Sequence, residues 1–368
     1  MFDNNLEKVK RAVRGRQTPL LVIDRAVIRQ RFSELKHGIG NARICYALKT
    51  NPHWRIVDLL REIGSDFEIS SGEELNILLR RGISTDRIIA SNPVKSSGFI
   101  RSAFAAGIQL FAFDSYDEIE KLSSCAPGSK VYVRLNVSND GSQWPLSKKF
   151  GVETEDALAL LREARGRGLQ PYGLTFHVGS QNTDMESWTR ALNRSKELWD
   201  SAGEQGIELR MLNIGGGFPI KYNEKSFSTG EIAGRIRETI DKLFPNNVEV
   251  FVEPGRVLVG EAGVLAGTVI GKAARNGDKW LYLDVGVFNG LMESIGGIEY
   301  PLVCTRNGSL QKWVLAGPSC DSLDVIHENV LLPELDIGDN LFILSAGAYT
   351  TAYASRFDGA PIPRITFI

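Results

Sequence analysis

Between Arg43 and Arg256 one rhythm repeats along the chain: a short apolar, β-rich run, a loop, then a stretch with helical periodicity. The apolar runs are ICYALK, DFEISS, RIIASN, LFAFD, KVYVRLNV, LTFHVGS, MLNIGGG and VEVFVEPGR. Between them lie helical patterns such as EELNILLRRG, SSGFIRSAFAAG, TEDALALLREARGRG and IAGRIRETIDKLF. Alternation of this kind predicts a parallel sheet. Eight such units predict a closed (β/α)8 TIM-like barrel over residues 24–257. After Val257 the texture changes: GVLAGTVIGKAA, DKWLYLDVG, QKWVLAG, VLLPEL and DNLFILSAGAYT read as strands separated by Gly, Asn and Pro turns. Residues 258–368 are therefore expected to form an all-β domain, joined by residues 1–23 through TPLLVID. The fold class is α/β, a barrel plus a β domain.

The polar residues of the barrel segment fall mostly where its strands end. Lys49, Glu68, Asn92, Asp114, Arg134, His177, Gly215 to Gly217, and Glu253 with Arg256 all stand at C-terminal strand ends. In a barrel those ends converge on one mouth, where catalysis and binding occur. The stretch YALKTNPHW shows the pattern: a lysine closes an apolar run just before Pro52, which has no N–H with which to continue a strand. Read alone, Lys49 is a solvated loop charge or an amine with a task.

Composition narrows the classes. The chain has 368 residues, 43% hydrophobic and 24% charged, enough for a large core. A formal net charge of −1 recommends neither nucleic acid nor an anionic membrane surface as partner. Cys45, Cys125, Cys304 and Cys320 lie far apart with no CxxC spacing, as expected of reduced thiols in a cytoplasmic protein, and no metal ligand set is expected. The N-terminus, MFDNNLEKVKRAVRGRQTP, has no signal-peptide apolar core, and no apolar run is long enough for a membrane span.

NIGGGFP (Asn213–Pro219) ends the seventh strand candidate, and EPGR ends the eighth. A glycine run can aim backbone N–H groups at an anion, and an arginine fork matches phosphate oxygens; a tight turn is the alternative for the glycines alone. A phosphate site, a strand-end lysine and the carboxylate of Glu253 together fit pyridoxal 5′-phosphate. Lysine forms a Schiff base with its aldehyde, and a carboxylate keeps its ring nitrogen protonated. Such a ring is an electron sink, which favours reactions through a Cα carbanion, decarboxylation among them. His177 in FHVGSQ reads either as a core histidine or as a ring stacked on the cofactor, with Ser180 then offering a hydroxyl to the phosphate. Cys320, set between turn residues in GPSCDSLD, reads as a buried structural cysteine or as a proton donor to a carbanion.

These motifs, from TPLLVID through YALKTN, FEISSGEEL, SNPVK, LFAFDS, WPLSKKFG, FHVGSQ, NIGGGFP, EPGR and GPSCDSLDVI to SAGAYTTAYAS, run in order along nearly the whole chain. The sequence resembles the barrel-type (fold type III) pyridoxal-phosphate decarboxylases of basic amino acids, in particular the compact bacterial ornithine/lysine decarboxylases, which have an alanine racemase-like fold. The resemblance implies decarboxylation of L-ornithine to putrescine or of L-lysine to cadaverine. It implies that Lys49 carries the cofactor, Glu253 pairs with the pyridine nitrogen and His177 stacks on the ring. Ser180, Gly215, Gly216, Gly217, Gly255, Arg256 and Tyr349 would hold the phosphate. Glu68 stands near the Schiff base where the family usually has Asp, and Arg134 and Glu74 match positions supporting the cofactor. Cys320 would protonate the carbanion; Asp321, Tyr349, Glu293 and Ala360 would border the substrate, Asp321 taking its distal amine. Lys149, on a mobile loop, would face Asp324 across a two-fold homodimer in which the CDSLD segment of one subunit completes the site of the other.

Two departures touch the expected substrate pocket. Where related bacterial enzymes read like GGLAETM-(D/G)-EAIRYP, this chain reads NGLMESIGGIEYP, one residue shorter and with Gly296-Gly297 in place of an acidic residue. The family's FNGF appears as FDGA, Phe357 to Ala360, which opens space and adds Asp358. A wider pocket would take a larger or modified amino acid from a biosynthetic pathway, and this stands as an alternative substrate class. A catalytically inactive regulatory homologue is the non-enzyme alternative; Lys49, Cys320 and the glycine run are all retained against it. CDSLD differs from the CESxD of diaminopimelate decarboxylase, and Glu253 differs from the arginine of alanine racemase at the pyridine nitrogen.

Overall fold

The computed structural model describes residues 2–146, 148–222 and 227–368. The chain forms two compact units: one comprises Arg31–Pro219 and Phe227–Gly255, the other Met1–Gln30, Ile220–Ser226 and Arg256–Ile368.

The first unit is the barrel. Strands Arg43–Ala47, Asp66–Ile69, Ile88–Ala90, Leu110–Phe113, Lys130–Arg134, Gln170–Thr175, Met211–Asn213 and Glu249–Val252 pair in sequence order, all parallel. The ring closes where Phe251 and Val252 pair with Arg43 and Ile44. All eight strand candidates thus enter one barrel, as the alternation predicts. Each strand is short and apolar because both faces are covered, and Cys45, Ile89, Ala112, Tyr132, Met211 and Phe251 pack together in its interior. Several returning helices start on a serine that accepts a hydrogen bond from a backbone N–H in the first turn: Ser71, Ser96, Ser115 and Ser228. Ser228 and Glu231 complete a capping box. These caps stop each helix at its start and leave the preceding loop at the mouth.

The second unit is mostly β, with Leu20–Ile23 between Gly263–Arg275 and Arg364–Phe367. Gly263–Arg275 is long enough to pair with Leu20–Ile23, Asn340–Ile343 and Asp278–Leu283 along its length. A core of Val9, Val13, Leu20, Val22, Val264, Ala266, Phe342 and Leu344 lies under it. Two details differ from the sequence reading. The strand expected at VLLPEL begins earlier, at Val325, and ends at Leu332. Leu302–Cys304 and Arg364–Phe367 are further strands that their short runs did not announce.

Candidate active site

At the barrel mouth, strand Arg43–Ala47 passes into a single 3-10 turn, Leu48–Thr50, that carries Lys49. Its backbone neighbours are buried, while the Lys49 side chain is half exposed and its Nζ lies 3.2 Å from Glu68 Oε2. Glu68, at the end of the next strand, is 1% exposed and also accepts a hydrogen bond from Ser70 Oγ at 3.0 Å. Glu74 Oε2 accepts the Ser70 N–H at 2.5 Å, and burial, with the nearby Glu68 charge, pushes its carboxyl up to about 7.

Glu253 follows the last strand. Its Oε1 accepts from Asn213 Nδ2 at 2.5 Å and from the Ser91 hydroxyl, which also bonds Tyr132. Its Oε2 takes no hydrogen bond among the described residues. Burial, with Glu68 adding to it, raises the Glu253 carboxyl above its ordinary range. The His177 ring lies beside the glycine run, and its Nδ1 accepts the Gly179 N–H at 3.0 Å, so the ring proton belongs on Nε2. Burial first, then Arg134 and Lys49, holds His177 neutral. The Arg134 guanidinium lies 5.4 Å from the Phe150 ring and donates no hydrogen bond among the described residues.

Gly215 and Gly217 have φ of 64° and 95°, the left-handed region. A Cβ on Gly216 would come 2.5 Å from the Glu253 carbonyl oxygen, and one on Gly255 2.1 Å from Thr50 Oγ1, so packing excludes any side chain at either. Gly215 N–H is held by Asn213 Oδ1 at 2.9 Å, whereas the N–H groups of Gly216 and Gly217 donate to nothing among the described residues. Ser180 opens the short strand Ser180–Asn182, paired with Ser142–Trp144, a ribbon absent from the sequence reading. Ser91 and Asn213 were not among the expected site residues either. Asn213 is the first residue of NIGGGFP; Ser91 stands one place before the strand-end Asn92, a register that pattern alone does not resolve.

The second unit holds the remaining candidates. Arg256 Nη1 and Nη2 donate to Glu293 Oε2 and Oε1 at 2.7 and 2.5 Å, and Nη1 also donates to Tyr222 OH at 2.8 Å. Both side chains of this pair are buried, and the Tyr349 ring centre lies 5.0 Å from the guanidinium. Glu293, expected at the substrate, has both its oxygens on Arg256 here, since a buried carboxylate needs a cation. Gly296-Gly297, the departure in the same stretch, closes this turn, with Gly297 at φ 86°.

Asp324, expected to face Lys149 of a partner subunit, is 3% exposed and accepts the N–H groups of Val287 and Ser319 at 2.7 and 2.9 Å. Gly286 and Gly317 are glycines for this reason, since a Cβ on either would lie within 2.5 Å of that carboxylate. Lys149 itself is exposed, its Nζ 5.2 Å from the Phe150 ring. Asp321 Oδ1 accepts the Leu323 N–H at 2.8 Å. Cys320 is exposed, and its N–H donates to Asp358 Oδ2 at 3.0 Å. Ala360 ends the Phe357–Gly359 turn that carries Asp358.

The barrel-mouth groups suit pyridoxal 5′-phosphate one by one. Two unengaged glycine N–H groups and the Arg134 cation suit an anion. The Glu253 oxygen without a partner suits a protonated ring nitrogen, the neutral His177 ring suits stacking, and Lys49 is an accessible amine.

Comparison with known proteins agrees. Residues 25–260 match the family described as pyridoxal-dependent decarboxylase, pyridoxal binding domain. The chain is 36% identical to the lysine/ornithine decarboxylase of Selenomonas ruminantium over 96% of its own length and 90% of that protein. It is 32% identical to antizyme inhibitor 2 of Xenopus laevis, over 90% of this chain and 77% of the relative. The crystal structure of lysine/ornithine decarboxylase complexed with cadaverine from Vibrio vulnificus superposes with a TM-score of 0.93 at 33% identity, covering 100% of this chain and 99% of that one. The fold is accordingly the alanine racemase-like one, a parallel barrel with a second β unit. A family match over residues 25–260 and likeness over nearly the whole chain place it among the pyridoxal-dependent amino acid decarboxylases, with pyridoxal 5′-phosphate as its cofactor.

Proposed function

We propose that the protein decarboxylates L-lysine and L-ornithine. The observation that carries this reading is the full-length likeness to lysine/ornithine decarboxylases, one of them solved with cadaverine, together with the retained Lys49–Glu68 and Glu253 arrangement. When bound, the cofactor supplies an electron sink for the pair released as CO2 leaves. In the barrel, Lys49 would hold its aldehyde carbon, Glu253 Oε2 its ring nitrogen and His177 its ring face. Gly215, Gly216, Gly217, Ser180 and Gly255 would hold its phosphate. Glu68 positions the Lys49 amine through their ion pair, and Arg134 and Glu74 set the charge around the cofactor. In the second unit, Glu293 holds the Arg256 fork beside the Tyr349 ring. Asp321 takes the distal amine of the substrate, and Cys320 Sγ gives the proton that replaces CO2.

We further propose a two-fold homodimer. Leu323, inside the CDSLD segment, is 63% exposed, and Ile295 and Phe357 of the same unit are 52% and 41% exposed. Apolar side chains so placed are what a subunit interface covers. Sedimentation of wild type beside Leu323→Asp checks this; a monomeric wild type would refute it.

The test of function is CO2 release from L-lysine and L-ornithine by the cofactor-loaded protein. Release from either is the expected result. A loaded protein inert to both would move the substrate to a larger amino acid that fills the space at Ala360, and Ala360→Phe would then abolish turnover of that substrate. A protein inert to every amino acid would favour the regulatory reading that the likeness to antizyme inhibitor 2 supports.

A further inference from the structure

Asp358 stands where the family has Asn, and its surroundings give it an occupation. The Phe357–Gly359 turn is pinned at several points. Gly359 N–H donates to the Arg356 carbonyl at 3.0 Å and Ala360 N–H to the Phe357 carbonyl at 3.1 Å, while the Phe357 and Phe288 rings lie 4.9 Å apart. Asp358 itself has φ 54°, a conformation that Asp and Asn tolerate better than most residues. Its carboxylate lies against a residue 38 positions away, accepting the Cys320 N–H at 3.0 Å, with the Cys320 thiol in reach of the same group.

We propose that Asp358 is a positioning residue for Cys320: its carboxylate fixes the segment bearing the thiol and keeps the proton on Sγ until it is delivered. This rests on the reading of Cys320 as proton donor. A thiolate formed here would stand beside an ionised carboxylate, so the charged form of the thiol is disfavoured. The charged groups that act on Cys320 are Asp358, from the C-terminal turn, and Asp321, from its own segment. The Asp358 hydrogen bond and charge, with a smaller push from Asp321, hold the thiol above its ordinary range. The two Cys320 donors correspondingly hold the Asp358 carboxyl below its own. In turnover the Cys320 S–H bond breaks as the substrate α-carbon that has lost CO2 gains its C–H bond. The resulting thiolate, destabilised by its neighbour, takes a proton back from solvent.

The test is alkylation of the full-length, cofactor-loaded protein by iodoacetamide between about pH 6 and pH 10, bracketing the ordinary thiol range, with each cysteine followed by peptide mass spectrometry. Asp358→Asn suits it, because Asn keeps the left-handed turn and an acceptor for the Cys320 N–H and removes only the charge. The expected result is a Cys320 alkylation profile moved to lower pH, with a several-fold faster rate at about pH 8, while Cys125 and Cys304 are unchanged. The basic limb of the kcat profile should move the same way. An unmoved Cys320 profile overturns the proposal, as does equal acceleration at all three cysteines, which would mean general loosening. Cys320→Ala tests the underlying reading separately: full decarboxylation by that variant removes Cys320 from the donor role, whatever the alkylation shows.

Discussion

The barrel mouth and the β unit both collect charged side chains, but they leave them in opposite states. At the mouth, the Gly216 and Gly217 N–H groups, the Arg134 guanidinium and Glu253 Oε2 make no hydrogen bond among the described residues. In the β unit, Arg256, Glu293 and Asp324 are buried and held by partners of their own unit. Unengaged groups on a rigid rim are ready for a ligand, since no internal bond has to break first. Buried, engaged groups fix the backbone instead: Asp324 holds the Ser319 N–H beside Cys320, and Arg256 lies over the Tyr349 ring.

The sharpest way to break this contrast is at Lys49. Lys49→Ala should lower kcat at least about 10³-fold, roughly 4 kcal/mol of barrier, and abolish the visible absorbance of the bound cofactor, with the far-ultraviolet dichroism of the apoprotein unchanged. Wild-type turnover by that variant would mean the mouth is not the reacting end.

Glu293→Gln tests the other side. It leaves the buried Arg256 charge uncompensated, and urea unfolding of the apoprotein should show a loss of about 3 kcal/mol. If stability holds and only substrate affinity falls, Glu293 belongs to the pocket after all.

Gly216→Ala forces the loop away from the Glu253 carbonyl. Cofactor affinity, read by equilibrium dialysis, should fall about tenfold, or about 1.4 kcal/mol. An unchanged affinity would show that the glycine run serves packing alone.

The effect confined to one pH range concerns Glu74. Its folded-state carboxyl titrates at about 7 rather than at 4.5, so the folded form holds the proton more tightly. That contribution is complete below about pH 4.5 and lost as pH rises through about 7. Glu74→Gln should therefore raise the apoprotein's stability at pH 8, by up to about 3 kcal/mol if the whole shift is felt, and change it little at about pH 4. Thermal melts at the two values read the difference; a gain of equal size at both would remove the ionisation argument.

The barrel was legible in the sequence because each of its units is local: an apolar run, a loop and an amphipathic helix lie within one short stretch. The β unit was less so. In Val325–Leu332 the exposed Glu328 and Asn329 interrupt the apolar alternation, so only the last part of that strand stood out. The same division runs through the site. Lys49, Glu68, His177 and Glu253 could be placed at the mouth because a parallel barrel brings all its strand ends together, whatever the details of packing.

The sequence by itself determined the order of the barrel, the kinds of chemical groups at its mouth and the family to which they belong. Tertiary structure alone decided that Glu293 clamps Arg256, 37 residues away, that Asp324 is buried in its own unit and that Asp358 meets Cys320. The reason is physical. A periodic pattern encodes which face of an element is apolar, whereas the partner of a buried charge is set by which distant segment the folded chain brings within hydrogen-bond reach, and no local pattern carries that distance.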